Sequence, residues 1–551
     1  MTENRPTELY GLDTESRQMV VNVVRQLRKR LLTKEKVLEF DEKEFFPEKE
    51  IRQMLGPDIG LQLMFIPEAY GGMGGGARDC CAVTREMCKI CLGVGTAFFA
   101  IQLGADPLMV GGTEEQKAKW LGAIAEGNTL VAYAVTEPGA GSNLAALKTK
   151  AEPVCNDDGS IQGYQINGAK QFISTGGYAD YVTILANTPE GPSFFVLEKG
   201  TKGFHQGKGE IKHGIRASNT SALTVEDAFV PVENLIGGVP GQGLKQANKV
   251  FGYTRLMVGA MALGAGEAAL EIAIPYAKER VQFGTPLAEK QGYTHKLIVP
   301  HVVRLKAAAT HIDEVTHRID GGELDLQVEG SIAKYFASES ANNAADDAMQ
   351  ALGGYGYICE YEVEKIKRDV KITCIYEGTS EIQQNIISTF RWKTTRKTKG
   401  GYYQTIAANL GKLAETVPDC GLVVFEEAVR LVNRLIDEMH TRRLTRRQHL
   451  MFLLADMITH VEVGAALAKR AATDGNQDGL KCAARIFSHE TAKLVADGVR
   501  QIVLGSGGFS TDEAASLMTG PMFSAYNDSC QNLMADMDTM AAIIFKDGFT
   551  F

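Results

Sequence analysis

Residues 129–142, TLVAYAVTEPGAGS, decide how this chain is divided. Upstream of them the apolar spacing is helical, as in SRQMVVNVVRQLRKRLL (16–32), and FIPEAYGGMGGG (65–76) breaks that pattern with a Gly-rich turn. From about Val131 the texture changes. Short β-rich runs follow, TLVAYAV (129–135), YVTILAN (181–187), SFFVLEK (193–199) and SALTVEDAFVP (221–231), separated by Gly, Asn and Asp. That alternation predicts a compact antiparallel barrel or sandwich. The helical period returns at GVPGQGLKQANKVFGYTRLMVGA (238–260) and continues to about Phe390. KTTRKTKGG (393–401) is basic, polar and Gly-terminated, so it reads as a linker. Beyond it lie further amphipathic stretches, among them FEEAVRLVNRLIDEMH (425–440).

The predicted fold is therefore α+β and mostly helical, in four parts. An N-terminal helical domain takes 1–130, a middle antiparallel β-barrel or sandwich 131–240, a helical bundle 241–391, and an additional C-terminal helical domain 402–551.

Composition narrows the function classes. The 551 residues are 44% hydrophobic, enough for several packed layers, and the net charge is −9. Residues 392–551 hold 18 Lys/Arg and 18 Asp/Glu; subtracting from 58 and 67 leaves 40 and 49 in residues 1–391, which carry the whole excess. This balance argues against general affinity for nucleic acid or anionic lipid. The start, MTENRPTELYGLD, shows no apolar core of a signal peptide, and no uninterrupted apolar run looks long enough to span a bilayer. A cytoplasmic location is expected. Ten cysteines then read as reduced thiols. Cys88 and Cys91, near Cys80 and Cys81, have the spacing of a metal or redox pair. No second such pair follows, and ARDCCAVTREMCKICLGVGTAFF (77–99) looks like a buried helix, so core thiols and no metal are expected. HTRRLTRRQHLMFLLADM (440–457) sets four arginines before an apolar helix. It is either a membrane-surface segment or a solvated loop leading into a buried helix.

Three Gly-rich stretches have the composition of anion-holding turns: TEPGAGS (136–142), GGMGGG (71–76) and QALGGYG (350–356). Taken singly, each is an ordinary turn; none is a Walker motif or a strand–turn–helix dinucleotide fingerprint. Their order is more specific. IPEAYGG (66–72), YAVTEPGAGS (133–142), NGAKQFIS (167–174), GIRASNTS (214–221), ERVQFG (279–284), QALGGYG (350–356) and IYEGTSEIQ (375–383) run collinearly. On these motifs the chain, from about residue 40 to 391, resembles the acyl-CoA dehydrogenase family.

The resemblance implies FAD, a β domain between two helical domains (the second a four-helix bundle), and an oligomer whose neighbours complete one another's flavin sites. It assigns the flavin ring to Val135, Thr136 and Ser142 and to Phe172, Ile173 and Ser174, whose hydroxyls and amides can bond its polar edge. The family usually has Trp-Ile-Thr where Phe172-Ile173-Ser174 stands, so an aromatic plane and a hydroxyl remain but the indole N–H is lost. The ADP half is assigned to Arg280, Gln282, Phe283, Gln291, Gln350, Gly353 and Gly354, with Thr379 and Glu381 at the flavin or its linker. Glu377 is implied as the base that removes the α-proton of an acyl-CoA thioester, with Tyr376 and Gly378 lining the acyl pocket. Ser142, Gly252 and Arg255 join them as substrate contacts.

Departures from the family pattern bear on the substrate. Relatives often have Asp at the Gly252 position. Some branches place the base immediately before the Arg of FGYTR, where this chain has Thr254. Val94 stands where glutaryl-type enzymes use an Arg. Phe98 and Phe99 lie where the far end of an acyl chain would sit, and are equally explained as helix core. The C-terminal module resembles that of the very-long-chain branch, in which it accompanies a homodimer and weak membrane attachment. Electron-transfer flavoprotein is the implied acceptor. An acyl-CoA oxidase that returns electrons to O₂, and a flavin-fold assembly protein, stay open as alternatives; the zero net charge of residues 392–551 speaks against a DNA-associated branch.

Overall fold

A computed structural model of the protein describes residues 10–323, 325–474 and 478–551; most of the N-terminal segment on which the leader reading rests lies outside them. The described residues are mostly helical, with one large sheet whose strands fall between two helical stretches of the chain, as the sequence predicts. They form two compact units. The first comprises 1–265, 316–327 and 368–373, and the second 266–315, 328–367 and 374–551.

In the first unit the change of texture at Val131 is the start of β1 (Val131–Ala134). It is followed by β2 (Lys150–Cys155), β3 (Ile161–Ser174), β4 (Tyr181–Thr188), β5 (Gly191–Glu198), β6 (Phe204–Gly209) and β7 (Thr220–Pro231). The sheet order is β1-β4-β2-β3-β7-β6, with β5 also on β4. Long ladders β2–β3, β3–β7, β4–β5 and β6–β7 are antiparallel, as expected, but β1 and β4 run parallel, Val131 opposite Tyr181. The excursion through TEPGAGS, β2 and β3 supplies the long crossover that a parallel pair requires. Tyr164, Ile166, Ile184, Phe195, Leu223 and Val230 fill the inner face.

The helical residues before β1 are packed, not merely amphipathic. The stretch 77–99 is two buried helices, Ala77–Ile90 and Leu92–Gly111, broken at Cys91, whose φ of −163° is extended. Cys80, Cys81, Cys88 and Cys91 are all buried and in no disulfide, as read from the sequence. Phe98 is fully buried edge-on to Phe99, with ring centroids 5.0 Å apart, and also contacts Phe65. Both rings pack in the helix core.

The GGMGGG loop is structural. A Cβ at Gly72 would lie 1.9 Å from the Ile66 carbonyl oxygen, and one at Gly75 2.5 Å from that of Met64. The helix that follows has its first N–H groups already satisfied. Ala77 and Arg78 donate to Asp320 (2.7 and 3.0 Å), and Gly76 donates to Asp79 at 2.8 Å. An internal carboxylate fills the anion position at this N-terminus. Burial pushes the Asp320 carboxyl up, against the pull of those two N–H groups.

In the second unit the basic stretch expected as a linker is mostly helix. Ser380–Lys397 is one helix, and only Thr398–Gly400 separate it from Gly401–Ala414. Polar side chains on one face do not end a helix whose other face is buried, here Ile387, Ser388, Arg391 and Thr395. Gly400 makes the turn at φ +83°. Residues 402–551 belong to the same compact unit as the bundle helices.

Three helices among the described residues are long and apolar enough to cross a membrane, which corrects the reading that no run reaches that length. They are Leu92–Gly111, Gly243–Glu279 and Gln448–Thr473, whose most apolar windows are 83, 89 and 72% buried. Their apolar surface is used in packing within the fold. Of the four arginines before Gln448, Arg442 bonds the Gly508 carbonyl and Glu513, and Arg447 bonds the Ser506 carbonyl.

Candidate active site

Glu377 sits in a turn that the chain would not adopt unaided. Its φ is +53° and that of Gly378 is +91°. Two buried donors hold the adjacent carbonyls. Gln383 Nε2 donates to the Glu377 oxygen (3.1 Å) and to the Gly378 oxygen (3.0 Å), and Lys334 Nζ donates to the Gly378 oxygen at 2.6 Å. Thr379 then caps the Ser380–Lys397 helix, accepting from Ile382 N–H, while Ser380 Oγ donates to Glu339 at 2.5 Å. Tyr376, Glu377, Gly378 and Thr379 are half-buried, and Glu381 is exposed. A Cβ on Gly378 would meet Gln383 Nε2 at 2.6 Å, so both space and φ demand glycine there.

The first unit brings together the residues assigned to the flavin ring. At TEPGAGS the chain leaves β1 and hairpins on itself, Glu137 N–H donating to the Ala140 carbonyl at 2.9 Å. Glu137 is the anchor. Its buried carboxylate accepts from Lys148 N (2.7 Å), Thr149 N (3.0 Å), Thr149 Oγ1 (2.5 Å) and Lys170 Nζ (2.8 Å). Lys170 also donates to the Val135 carbonyl (3.1 Å), and Gln171 N–H to that of Thr136 (2.9 Å), joining YAVTEPGAGS to NGAKQFIS. Val135 is buried beneath this seam, Thr136 half-buried and Ser142 exposed.

Beyond Lys170 the β3–β7 register slips before Ile173. The bulge leaves Ile173 in the core and Ser174 half-buried, and puts Phe172 outward at φ +60° and 64% exposed. In the Gly243–Glu279 helix, Arg255 is buried. A Cβ at Gly252 would meet nothing within 4 Å, so packing does not explain the glycine.

The ADP-half residues lie in the second unit, nearly all on its surface. Arg280 follows the end of the long helix. Val281–Gln282 then pairs with Thr285–Pro286 through a two-residue turn, Phe283 (φ +51°) and Gly284 (φ +84°), the left-handed pair of a tight hairpin. Phe283 is 97% exposed at its tip. Gln350, Gly353 and Gly354 are exposed too, and a Cβ at either glycine would meet nothing, so the room above them is open. Gly356, in contrast, is needed for packing, since its Cβ would lie 2.1 Å from the Met349 oxygen. Gln291 differs from its neighbours in the assignment, because its amide donates to Asp538 of the C-terminal Leu533–Phe545 helix at 3.0 Å.

Sequence reading missed Glu137, Lys170, Lys334 and Gln383. The first two lie inside motifs already quoted, where a charged residue among apolar neighbours was the available signal. Lys334 has no such local mark.

The first unit thus holds a mixed sheet with helices before it in the chain, and the second a carboxylate in a strained helix-capping turn. Family models for the N-terminal, middle and C-terminal domains of acyl-CoA dehydrogenase match residues 14–128, 132–228 and 241–390. An acyl-CoA dehydrogenase of Bacillus subtilis is 39% identical over 384 residues, 68% of this chain and 98% of the relative. A solved structure described as an electron transferring flavoprotein of Acidaminococcus fermentans is similar at 35% identity and TM-score 0.64, covering 68% of this chain and 98% of that one. The Bacillus anthracis acyl-CoA dehydrogenase complexed with FAD shares the fold at 23% identity. Its TM-score is 0.80 over 97% of this chain and 95% of that one, which takes in the C-terminal module. The chain belongs to the acyl-CoA dehydrogenase family.

Proposed function

We propose that the protein is a FAD-dependent acyl-CoA dehydrogenase that converts an acyl-CoA thioester to the trans-2-enoyl-CoA, with Glu377 as the α-proton base and electron-transfer flavoprotein as acceptor. The observation that carries this reading is the strained, doubly anchored turn at Glu377, in the stretch where the family resemblance places the base.

The residues fit the cofactor. Thr136, Ser142 and Ser174 offer hydroxyls beside the outward Phe172 ring, and Arg280 and Gln282 with the open Gly353-Gly354 backbone suit a pyrophosphate. FAD, when bound, supplies the acceptor for the β-hydrogen and its electron pair. The protein's own work is at the α-carbon. The Glu377 carboxylate takes the α-proton, and its backbone N–H donates to the thioester oxygen as charge develops there. Tyr376 and the acyl chain exclude water from the carboxylate, which raises its basicity. The α-proton passes to Glu377, the β-hydrogen leaves with its electrons, and the carbon–carbon double bond forms. Similarity to the Acidaminococcus structure, itself described as an electron transferring flavoprotein, supports a flavoprotein acceptor over O₂.

Glu377→Gln keeps size and packing and cannot accept the proton. Mixed anaerobically with acyl-CoA thioesters, the variant should keep its yellow FAD and bind substrate, yet bleach the flavin about 10²–10⁴ times more slowly. Bleaching near the wild-type rate, with FAD content checked first, would place the base elsewhere. Peroxide release on aerobic turnover would count against the proposed acceptor.

A further inference from the structure

We infer that Lys334 and Gln383 are positioning residues that fix the Glu377 turn and so aim the base; the inference rests on the reading of Glu377 as that base. The two donors come from separate helices, Gln327–Ala351 and Ser380–Lys397, and both are fully buried. They make three hydrogen bonds to two consecutive carbonyls, those of Glu377 and Gly378. The two peptide planes held are those on either side of Gly378, and the first of them begins at the Glu377 Cα, so the backbone that carries the base is anchored on its C-terminal side.

The chemistry of the donors supports this role over simple packing. A buried ammonium is among the most expensive groups to place in a protein interior. Here it lies in the middle of a long helix, where an aliphatic side chain of the same length would fill the space. The ammonium makes a charge-assisted bond of 2.6 Å to the Gly378 carbonyl, which no aliphatic side chain could make. Gln383 is equally specific. Its two amide hydrogens serve one carbonyl each, while its Oε1 has no hydrogen-bond partner among the described residues. The amide is therefore held in place for its donors. The turn needs such restraint, because Glu377 has a left-handed backbone that L-residues disfavour. A released turn would relax, and a proton transfer over a fixed distance is sensitive to displacements of about 1 Å, which can cost about 10²-fold.

The test uses the FAD-loaded full chain. Lys334→Met and Gln383→Leu each remove donors at nearly constant volume. Both should lower the single-turnover rate of flavin reduction by butyryl-CoA by about 10- to 100-fold, with butyryl-CoA binding changed by less than about threefold. A thioester analogue that ionises at its α-carbon should lose affinity in both variants when titrated calorimetrically, while a saturated, non-ionising thioester should not. In a Glu377→Gln background neither substitution should slow reduction further, because a lost base no longer needs aiming. Wild-type rates in the single variants would overturn the inference. So would an equal fractional loss with and without Glu377, which marks a purely structural role. If Lys334→Met does not accumulate as folded protein, Gln383→Leu decides the matter alone by the same measurements. A fast Glu377→Gln overturns the base assignment and this inference together; a slow Glu377→Gln beside fast Lys334 and Gln383 variants overturns only the positioning role.

Discussion

Phe172, Phe283 and Glu377 are non-glycine residues with φ of +60°, +51° and +53°, and each is assigned to the site by motif. An L-residue in that region is disfavoured by roughly 1–2 kcal/mol, so its surroundings must impose it. For Phe172 the cause is the bulge after Lys170, for Phe283 a two-residue hairpin, and for Glu377 the anchored carbonyls. The bulge directly follows the buried Glu137–Lys170 pair, which yields a pH prediction. Burial pushes the Glu137 carboxyl up, but the hydrogen bonds from Lys170, Thr149 and Lys148 outweigh it and hold the group below its ordinary value. Burial likewise pulls the Lys170 ammonium down, to about 8. On acidification the unfolded chain therefore binds its proton at Glu137 first, so this contribution is complete above about pH 4.5 and disappears as pH falls through the lower folded value. Glu137→Gln breaks a buried pair and should destabilise the protein by about 3–5 kcal/mol at pH 7. The gap in melting temperature from wild type should narrow below about pH 4.5; a gap independent of pH would show that the carboxylate charge is not what stabilises the seam.

At the scale of elements, the Ser380–Lys397 helix links the candidate base to the C-terminal module. Its first turn carries Thr379 and Ser380. Its middle sends Gln384 to Asp456, and Arg391 makes a bidentate pair with Glu462 at 2.7 and 2.8 Å. Arg391 also lies 3.0 Å from Glu329 and stacks over the Tyr402 ring, and Tyr403 donates to Glu462 at 2.9 Å. All three charges are buried. Removing only the cation leaves two buried carboxylates facing each other, so Arg391→Met should lower stability by about 3–5 kcal/mol, read as a drop in the urea midpoint. Adding Glu462→Gln should restore part of it. A loss under about 1 kcal/mol would show that water or other cations already screen the pair.

The same helix shows where sequence reading succeeds and stops. IYEGTSEIQ marked Glu377 through the family resemblance, while the capping turn that holds it, with Gly378 at φ +91° and Thr379 as N-cap, was not read from the sequence. The switch to strands at Val131 was local. KTTRKTKGG misled, because polarity reports one helix face and Thr395 is buried on the other. GGMGGG had the composition of an anion-holding turn but read singly as an ordinary one, and Asp320, which fills its helix N-terminus, could not be foreseen because it comes 243 residues after the alanine it caps. Lys334 was invisible for the same reason, its partner being a carbonyl 44 residues away. What pairs across sequence distance leaves no local pattern to read.

For the whole molecule, the C-terminal module covers part of the bundle surface. Asp538 takes Gln291, Asp547 pairs with Lys278 at 2.5 Å, and the Phe549 ring lies under Lys306. Helices Gln291–Leu297 and Val299–Asp320 are thus in contact with the chain's own C-terminal segment, which covers part of their surface. A different apolar set remains open. Phe283 is 97% exposed and Tyr357 80%, with Val281 and Tyr355 about half exposed, all beside the residues assigned to the ADP half. Large apolar side chains left exposed in this way are candidates for an interaction surface. One covered face and one open face predict a homodimer, with a light-scattering mass of twice the 59.8 kDa chain at micromolar concentration. If the Phe283 ring serves both the dimer and the cofactor, Phe283→Ser should weaken that dimer and lower FAD retention together. Ending the chain at Lys399 removes Glu462 and should uncover Arg391, Glu329 and the buried side of the bundle, giving aggregation or a larger assembly. A wild-type tetramer would refute the covered face, and a dimer that keeps its full affinity with Ser at 283 would refute the open one.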